Sequence, residues 1–370
     1  MKPAEFDLAV AGGGPAGAAC ALIAARAGLA VAIFEPRTGA FDKPCGEGIL
    51  PEGVQVLREL GLVSALEQGR PVSRLAWWLD GREALAAELR TPALAIERPQ
   101  LQRALDGALE AERGVVRFAE RARAEPVSDG SGIVLRTPAG ALRARTLVAA
   151  DGAGGRCAHW LRAADGAPRA ARVGVRAHFA AAEPLEGVEV HLGRGCEVYL
   201  TPLAGGRVNA AVLADSPPRT RHGARGILQW AFAAHPAARG RLGARCGAAE
   251  SRALGQAPPR RVAGNGALLA GDAAGAVDPI LGCGVSLALA GGRLAALAAC
   301  DLARGADPVL VERSYTAAWR RESAGRRRLA EALRLAGRHP RVLGVLAEVL
   351  RRSPRVLDAL VGVAAGPRAA

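Results

Sequence analysis

Along the first 60 residues, the spacing of apolar and polar positions is typical of short buried strands that alternate with longer helices. Residues 7–35 contain an apolar strand, a glycine-rich turn, an alanine-rich helix and a second apolar strand that ends at Glu35. Strands that alternate with helices of this length are typical of βαβ units and a parallel sheet. The beginning of the chain is therefore predicted to form an α/β domain.

The middle of the chain changes to short strands that are separated by glycine and proline. A strand pair at 73–79 and 84–89, a helix at 98–112 and further strands near 115–123, 131–137, 141–149 and within 172–213 are predicted. The closely spaced apolar segments between 172 and 213 favour a second, antiparallel sheet. Beyond about residue 300 the pattern predicts helices to the end of the chain.

The turn after the first strand has the form Gly12-x-Gly14-x-x-Gly17, with Pro15 and Ala16 between the last two glycines. In a strand–turn–helix context the first glycine permits a tight turn, the second lets a pyrophosphate approach the backbone, and the third lets helix and strand pack closely. The helix N-terminus then offers N–H groups to the phosphates. The motif alone is weak, because the chain has 47 glycines.

Glu35 strengthens the prediction of a dinucleotide site. Its carboxylate follows the glycines by about 20 residues, where it can accept hydrogen bonds from both ribose hydroxyls and would repel a 2′-phosphate. The ligand is therefore expected to be FAD or NAD rather than NADP.

Two later segments place an aspartate at the end of a strand. Residues 147–156 contain Asp151-Gly152, and residues 268–284 contain Gly271-Asp272 followed by Pro279 and the turn Gly282-Cys283-Gly284. Such an aspartate can reach a polyol while the backbone amides of the following turn face an electron-rich ring. The alternatives are a helix N-cap for Asp272 and a simple turn residue for Asp151.

Taken in order, these three segments resemble the flavin signatures of the p-hydroxybenzoate-hydroxylase-like flavoproteins. That superfamily includes single-component aromatic monooxygenases, geranylgeranyl reductases and flavin-dependent halogenases. The resemblance covers roughly residues 5–300. It implies FAD as the cofactor and an α/β fold: a Rossmann-like FAD-binding domain of the glutathione-reductase type, an inserted antiparallel-sheet substrate domain and C-terminal helices. The expected divisions are 1–72, 98–170 and 255–300 for the FAD domain, 73–97 and 171–254 for the substrate domain, and 301–370 for the helices.

The same resemblance suggests roles for individual residues. Asp272 would bond a ribityl hydroxyl, the turn from Gly282 to Gly284 would face the flavin ring, and Asp151-Gly152 would lie beside the pyrophosphate. Arg98 fits the arginine that opens a helix and faces the cofactor, and Arg37 fits the basic residue near the adenosine. Gly46 and Ala122 complete the expected cofactor-binding set.

Cys45 and Tyr199 are the candidates for chemistry next to the flavin. Cys45 begins a C-G-E-G string that resembles the segment along the flavin ring of geranylgeranyl reductases, although a small buried hydrophobe is an equal interpretation. Tyr199 begins Y-L-T-P, where the reductases have W-x-F-P, so it either bonds a substrate or simply packs in a strand. His178 and His191 are further candidates for deprotonating a phenol, or are structural.

Three functional classes remain open. A monooxygenase that hydroxylates a hydrophobic aromatic or polyketide-like molecule through a flavin hydroperoxide is favoured, since the flavin supplies the difficult chemistry and no protein base is required. The alternatives are a reductase that saturates isoprenoid double bonds and a non-catalytic scaffold or protein-modifying flavoprotein. A halogenase is disfavoured because no lysine lies near 75–80.

The sequence predicts the chemical class of the electron donor and of the substrate, but not their identities. There is no second G-x-G-x-x-G unit, so NAD(P)H is expected to bind transiently in a surface groove unless an external reductant replaces it. Trp77, Trp78 and Phe179 predict a hydrophobic pocket for an aromatic, polyketide-like or isoprenoid molecule.

Composition excludes several other classes. The formal charge of +14 comes almost entirely from arginine, without the aromatic-interleaved basic sheet that stacks bases, so nucleic-acid binding is not expected. The seven cysteines form no C-x-x-C pair, so neither a disulfide framework nor a metal site is predicted and a reducing cytoplasm is expected. The apolar stretch from Leu8 to Ala25 contains the phosphate turn and is interpreted as core.

The C-terminal tail contains a short repeat. Pro340-Arg-Val-Leu-x-x-Leu recurs at Pro354, and both prolines suit the first position of a helix, with Ser353 as a predicted N-cap. The repeat therefore predicts two short, basic, amphipathic helices. They either rest on anionic lipid at the inner face of the membrane, helping a hydrophobic substrate to reach the protein, or cover the FAD domain.

Overall fold

The computed structural model describes residues 5–37, 39, 41–121, 123–126, 132–138, 140–155, 172–193, 195–215, 222–254 and 259–366. The strands are β1 Glu5–Ala11, β2 Val31–Phe34, β3 Gly48–Ile49, β4 Arg70–Leu79, β5 Arg82–Ala95, β6 Val115–Phe118, β7 Arg123–Pro126, β8 Ile133–Thr137, β9 Gly140–Ala149, β10 Arg172–Ala181, β11 Val188–Gly193, β12 Cys196–Pro202, β13 Arg207–Ala214, β14 Leu242–Leu254, β15 Ala263–Gly264 and β16 Ala267–Leu269. The α-helices are α1 Pro15–Arg26, α2 Pro51–Glu59, α3 Val63–Gln68, α4 Arg98–Ala111, α5 Gly223–Ala234, α6 Pro236–Gly240, α7 Gly284–Ala303, α8 Pro308–Gly337, α9 Pro340–Arg351 and α10 Pro354–Ala365.

The first sheet contains the predicted βαβ unit. Its main path runs β15-β16-β9-β1-β2-β6, with β7 and β8 attached beyond β9. β1 lies parallel to both β2 and β9, as the alternation of strands and helices predicted. The α/β fold class is therefore confirmed. The carboxyl ends of β1, β9 and β16 meet at one edge of this sheet, which brings the three glycine-rich segments together.

Helix α7 packs along α1 beneath this edge. A Cβ at Gly292 would collide with the backbone carbonyl of Ala16, so the two helices approach as closely as their backbones allow. α7 is the one described helix that is long and apolar enough to cross a membrane by length and composition, and 61% of that stretch is buried inside the protein. Its apolar surface is used in the core of the FAD domain.

The second sheet follows the order β14-β10-β13-β12-β11-β4-β5-β3. All of its pairs are antiparallel except β11 with β4. β3 pairs with the end of β5. β3 and the first residues of β4 thus belong to the second sheet, although both fall inside the segment that was assigned to the FAD domain. This pairing ties the loop around Cys45 to the substrate sheet.

The C-terminal repeat forms α9 and α10, each with proline in its first turn. Ser353 occupies the N-cap position of α10, as predicted, but its hydroxyl accepts no capping bond from the described residues, and its backbone carbonyl accepts from the amide of Val356 at 2.9 Å. The inner faces of these helices pack against β5 of the second sheet, around Leu85, Leu350 and Leu357. They therefore cover the substrate sheet, and α10 also packs against the core of the FAD domain through Val361.

Candidate functional site

One cavity of about 1490 Å³ runs between the two sheets and beneath the C-terminal helices. Glu35 and Asp272, which belong to distant segments of the chain, both line it. Most of the predicted cofactor residues line the same cavity: Gly12, Gly14, Pro15, Ala16, Arg37, Gly46, Arg98, Asp151, Gly152, Gly271, Pro279, Gly282 and Gly284. Gly17 and Cys283 are buried and do not line it, and Ala122 lies outside the described residues.

The glycine turn between β1 and α1 requires its glycines for different reasons. Gly12 has a φ of +102°, and a Cβ there would collide with the carbonyl of Ala150. A Cβ at Gly17 would collide with the carbonyl of Gly12. At Gly14 no described atom lies within 4 Å of an added Cβ, so this glycine faces open space at the beginning of α1. The turn therefore offers a phosphate a backbone binding site without side chains, directly in front of a helix N-terminus.

Glu35 is fixed in its ionised form. Its carboxylate accepts hydrogen bonds from the amide of Gly13 at 3.0 Å and from Nε of Arg37 at 2.8 Å. Burial opposes ionisation, but these bonds and the charge of Arg37 outweigh it and lower the pKa of Glu35. An anchored carboxylate at this point can receive a pair of sugar hydroxyls.

Arg98 opens α4 and is 4% exposed. Its Nη2 donates to Oε1 of Gln102 at 3.0 Å, whereas its Nη1 has no hydrogen-bond partner within the described part of the chain. A buried guanidinium N–H without a partner costs free energy unless a ligand satisfies it. Because Arg98 lines the cavity, an anionic group such as a diphosphate fits this position.

The segment after β16 forms two short turns instead of a helix at Asp272. Asp272 lies inside a 3₁₀ turn, and its Oδ2 is 3.1 Å from Nζ of Lys43. The alternative of an N-cap is thereby excluded, since α7 begins only at Gly284. Asp278 caps the second turn instead, accepting from the amide of Ile280 at 3.1 Å. The carboxylate of Asp272 remains directed into the cavity.

Helix α8 holds this segment from behind. Nη2 of Arg327 donates to the carbonyl of Gly275 at 2.7 Å, and Nε1 of Trp319 donates to the carbonyl of Ala274 at 3.2 Å. Sequence reasoning missed both residues, because they lie about 50 positions away and carry no motif. They fix the end of the turn that carries Asp272.

The loop Cys45-Gly46-Glu47-Gly48 is anchored to the second sheet. Oγ1 of Thr201 donates to the carbonyl of Gly46 at 2.8 Å, and Nδ2 of Asn209 donates to the carbonyl of Cys45 at 2.9 Å. Glu47 has a φ of +58° and is 2% exposed. Its carboxylate accepts from the amide of Arg98 at 3.0 Å and pairs with His178 at 2.7 Å. The loop is therefore held rigidly between both domains.

A profile described as an FAD binding domain matches residues 5–213. The chain belongs to this FAD-binding family. FAD is its cofactor, and the residues around Glu35, Arg98 and Asp272 fit it. A pyridine nucleotide is the typical electron donor of the monooxygenases in the family.

Two proteins named menaquinone reductase are similar to this chain over nearly its whole length. The one from Mycobacterium tuberculosis is 30% identical over 96% of this chain and 90% of its own length. The one from Mycolicibacterium smegmatis is 29% identical over the same shares. A 3-(3-hydroxy-phenyl)propionate/3-hydroxycinnamic acid hydroxylase from a Mycobacterium species is 28% identical over 40% of this chain and 28% of its own length.

Solved structures show the same fold. The p-nitrophenol 4-monooxygenase PnpA from Pseudomonas putida superposes with a TM-score of 0.84 at 18% identity and covers 100% of both chains. The flavin-dependent brominase Bmp2 gives 0.83 at 18% identity, covering 98% of this chain and 93% of its own. The architecture expected from the flavin signatures is thus confirmed.

Within the flavoprotein, Cys45 lines the cavity with a protonated thiol. Burial and the neighbouring Glu47 carboxylate raise the pKa of Cys45. Its sulfur accepts a hydrogen bond from the amide of Glu47 at 3.2 Å. The side chain is therefore a neutral thiol and not a thiolate nucleophile.

Tyr199 links the second sheet to the turn around Ile280. Its hydroxyl donates to the carbonyl of Ile280 at 3.3 Å, and burial raises its pKa well above the ordinary value. Beside it, buried Arg172 pairs with Asp278 at 2.8 Å and with Glu197. Burial raises the pKa of Glu197 to about 7, although Arg172 opposes this. Tyr199 lines the cavity with its ring while its hydroxyl is used to position the turn.

Four residues that were predicted near the substrate, two as pocket walls and two as bases, lie elsewhere. His191 stacks against Trp78 with ring centroids 5.1 Å apart, and Phe179 packs against Phe232 beneath α5. Neither these residues nor His178 belong to the described cavity lining. Successive side chains of a strand point to opposite faces, so only Trp77 of the tryptophan pair reaches the cavity. The proposal that His178 or His191 deprotonates a bound phenol is not supported by this placement.

The part of the cavity beyond Cys45 and Tyr199 is apolar. Its walls come from β4, β5 and β11 on one side and from α8, α9 and α10 on the other. The residues that form them include Leu75, Trp77, Leu79, Leu85, Leu89, Val188, Val190, Leu192, Leu343, Leu346, Leu350, Leu357 and Leu360. This apolar compartment is continuous with the cofactor region.

Proposed function

We propose that the protein is an FAD-dependent reductase that saturates a carbon–carbon double bond in the isoprenoid tail of a quinone lipid. The observation that carries the proposal is the apolar compartment, which begins at Cys45 and extends beneath α9 and α10. A long hydrocarbon chain gains free energy from every methylene that it buries there. The full-length relatives named menaquinone reductase support a quinone lipid as the substrate class.

Bound FAD supplies the two-electron chemistry, with NAD(P)H as the proposed source of the hydride. Saturation of a double bond needs a hydride at one carbon and a proton at the other. Cys45 is the residue to which we assign the proton, since its thiol is held neutral beside Glu47 and lines the cavity. Solvent would then reprotonate the sulfur between turnovers. Tyr199 positions the turn at Ile280 and orients the site.

Hydroxylation of an aromatic molecule is the second candidate. The hydroxylase relative supports it, but that similarity covers less than half of the chain. The apolar compartment continues beneath α9 and α10, which suits a long hydrocarbon tail better than a small aromatic acid. The sequence-based preference for a monooxygenase is therefore replaced by the reductase as our first proposal.

Mass spectrometry of the product separates the candidates. The holoenzyme is incubated with NAD(P)H and a polyprenyl quinone, with and without oxygen, and the extracted lipid is then reoxidised in air. Tail saturation leaves two additional hydrogen atoms after reoxidation, whereas reduction of the quinone ring alone leaves none. Incorporation of an oxygen atom, only in the aerobic sample, would contradict the proposal and favour hydroxylation.

A variant series tests the proton assignment. Cys45→Ala is expected to slow lipid turnover by 10²-fold or more, in the range of a lost general acid, while the bound flavin is still reduced by NAD(P)H at the normal rate. Cys45→Ser is the isosteric control and should retain part of the turnover with a changed pH profile. Unchanged turnover in both variants would remove Cys45 from the mechanism.

A further inference from the structure

Exposed apolar side chains are concentrated on the C-terminal helices. Of the eleven large hydrophobic residues that are exposed in the described part of the chain, six lie between residues 335 and 363. They are Leu335, Val342, Val345, Val349, Val356 and Val363, and their exposed fractions run from 40% to 66%. A cluster of this kind on one surface requires an explanation, whereas scattered single residues do not.

The spacing of the valines defines a continuous stripe on each helix. Val342, Val345 and Val349 lie three and four residues apart on α9, and Val356 and Val363 lie seven apart on α10. Residues at these spacings share one face of a helix. The leucines of both helices pack inward on β5, so the valine stripes lie on the outside of the helical pair.

Arginines accompany the stripes. Arg338, Arg341, Arg351, Arg352 and Arg355 are all exposed, and the side chains of Arg351 and Arg352 are 64% and 77% exposed. Glu348 and Asp358 are the acidic residues of α9 and α10, and both already pair with arginines. We call the valine stripes and these arginines the valine–arginine face. It is apolar and positively charged at once.

The cavity reaches the surface beside this face. Arg334 and Arg338, at the end of α8, line the cavity, and Arg338 is also exposed. Leu335 and Val342 lie on either side of Arg338 along the chain and are exposed as well. The corner between α8 and α9 is therefore both the end of the apolar compartment and the edge of the valine–arginine face.

We propose that the valine–arginine face docks on an anionic lipid bilayer, and that the lipid substrate passes from the bilayer into the cavity at the α8–α9 corner. Charge complementarity and exposed apolar surface support the docking by themselves, whereas the passage of substrate rests on the proposed function. Basic amphipathic helices bind the headgroup region through apolar burial plus attraction to anionic lipids. Each arginine near such a surface contributes about 1 kcal/mol, or roughly fivefold in affinity.

A second copy of the chain fits this face less well. An isologous contact would bring the same five arginines against each other, and like charges at an interface disfavour association. An anionic bilayer neutralises them instead.

Sedimentation with vesicles tests the docking without any assay of turnover. The full-length holoprotein is mixed with vesicles of phosphatidylcholine alone and of phosphatidylcholine with phosphatidylglycerol. We expect binding to the anionic vesicles, strong weakening at high salt, and little binding to the neutral ones. Equal absence of binding to both would overturn the proposal, and a dimer that depends on the valines would replace it with self-association.

Two pairs of substitutions localise the surface. Val345→Asp with Val349→Asp is expected to weaken vesicle binding about tenfold or more, because charged residues cannot enter the acyl boundary. Arg341→Gln with Arg355→Gln should weaken it roughly 25-fold, as two contributions of fivefold. Val63→Asp and Arg113→Gln, at exposed sites on other parts of the surface, are the matched controls.

Turnover then distinguishes the two proposals. If docking is correct, the Val345→Asp and Val349→Asp protein loses activity on quinone in vesicles but keeps it on quinone in detergent micelles. If docking is correct and the reductase proposal is wrong, the substitutions weaken vesicle binding as expected, but the unmodified protein forms no saturated lipid. Variants that bind vesicles as the unmodified protein does would contradict the assigned face.

Discussion

The two halves of the cavity are built in opposite ways. The cofactor half is polar and is made from short segments at strand ends, each with its own motif: the turn at Gly12–Gly17, Glu35 and the turn at Asp272. The apolar half has no motif and is made from whole faces of β4, β5, β11 and three C-terminal helices. The cofactor half holds a ligand of fixed structure through polar groups at defined positions. The apolar half has no such groups and can accept a flexible hydrocarbon chain.

The largest effect is expected at the glycine turn. Gly17→Val places a side chain against the carbonyl of Gly12, so it should abolish FAD binding and lower the free energy of unfolding by about 3 kcal/mol. Flavin absorbance after gel filtration and urea unfolding measure both. Gly107→Ala, in α4 with no described atom within 4 Å of the added Cβ, is the control and should be neutral or slightly stabilising.

Arg98 tests the polar half without disturbing its backbone. Arg98→Met removes the guanidinium N–H that lacks a protein partner, and we expect the Kd for FAD to rise about 100-fold. Titration of the apoprotein with FAD gives the value. Arg103→Met, on the exposed side of the same helix, should leave the affinity unchanged. Equal affinities for both variants would show that Arg98 does not bind the cofactor.

Leu346 tests the apolar half. Leu346→Ala removes methyl groups from the wall and should raise KM for a long-tailed quinone about tenfold while leaving FAD binding intact. The penalty should shrink for quinones with short tails that do not reach α9. Leu310→Ala, at a site that is 61% exposed on α8, controls for a general effect. A penalty that is independent of tail length would argue against the compartment as the tail site.

The smallest effect is a pH-dependent one at Glu35. Its folded pKa is lowered, so its contribution is present above the ordinary glutamate value and is lost as the pH falls through the folded pKa. Glu35→Gln should therefore reduce the unfolding free energy of the apoprotein by about 1 kcal/mol at neutral pH and by progressively less in acid. Urea titrations at several pH values check this, and a constant difference would contradict the ionised, hydrogen-bonded state.

Sequence reasoning could locate the polar half because its constraints are local. Gly12 and Gly17 are required by the backbone of a single βαβ unit, and Gly14 and Glu35 lie at characteristic spacings within it, so the whole unit can be recognised along the chain. The residues that support it from a distance were not found. Trp319 and Arg327 donate to backbone carbonyls at the end of the Asp272 turn, and a donor to a carbonyl has no sequence signature.

For the apolar half, the sequence predicted that the pocket is hydrophobic but not which residues line it. Trp78 and Phe179 were expected in the pocket, yet they point to the opposite face of their sheet. Because both faces of this sheet are covered, the apolar pattern does not reveal which face lines the cavity. The packing of α9 and α10 on β5 brings together residues about 260 positions apart, which no periodicity indicates.

A crystal structure of the holoenzyme with a bound polyprenyl quinone tests the central claim most directly. The account predicts one continuous cavity, with FAD held between Glu35 and Asp272 and the isoprenoid tail lying between β5 and the inner faces of α9 and α10. A tail bound elsewhere on the protein, or Glu35 and Asp272 contacting different molecules, would contradict it.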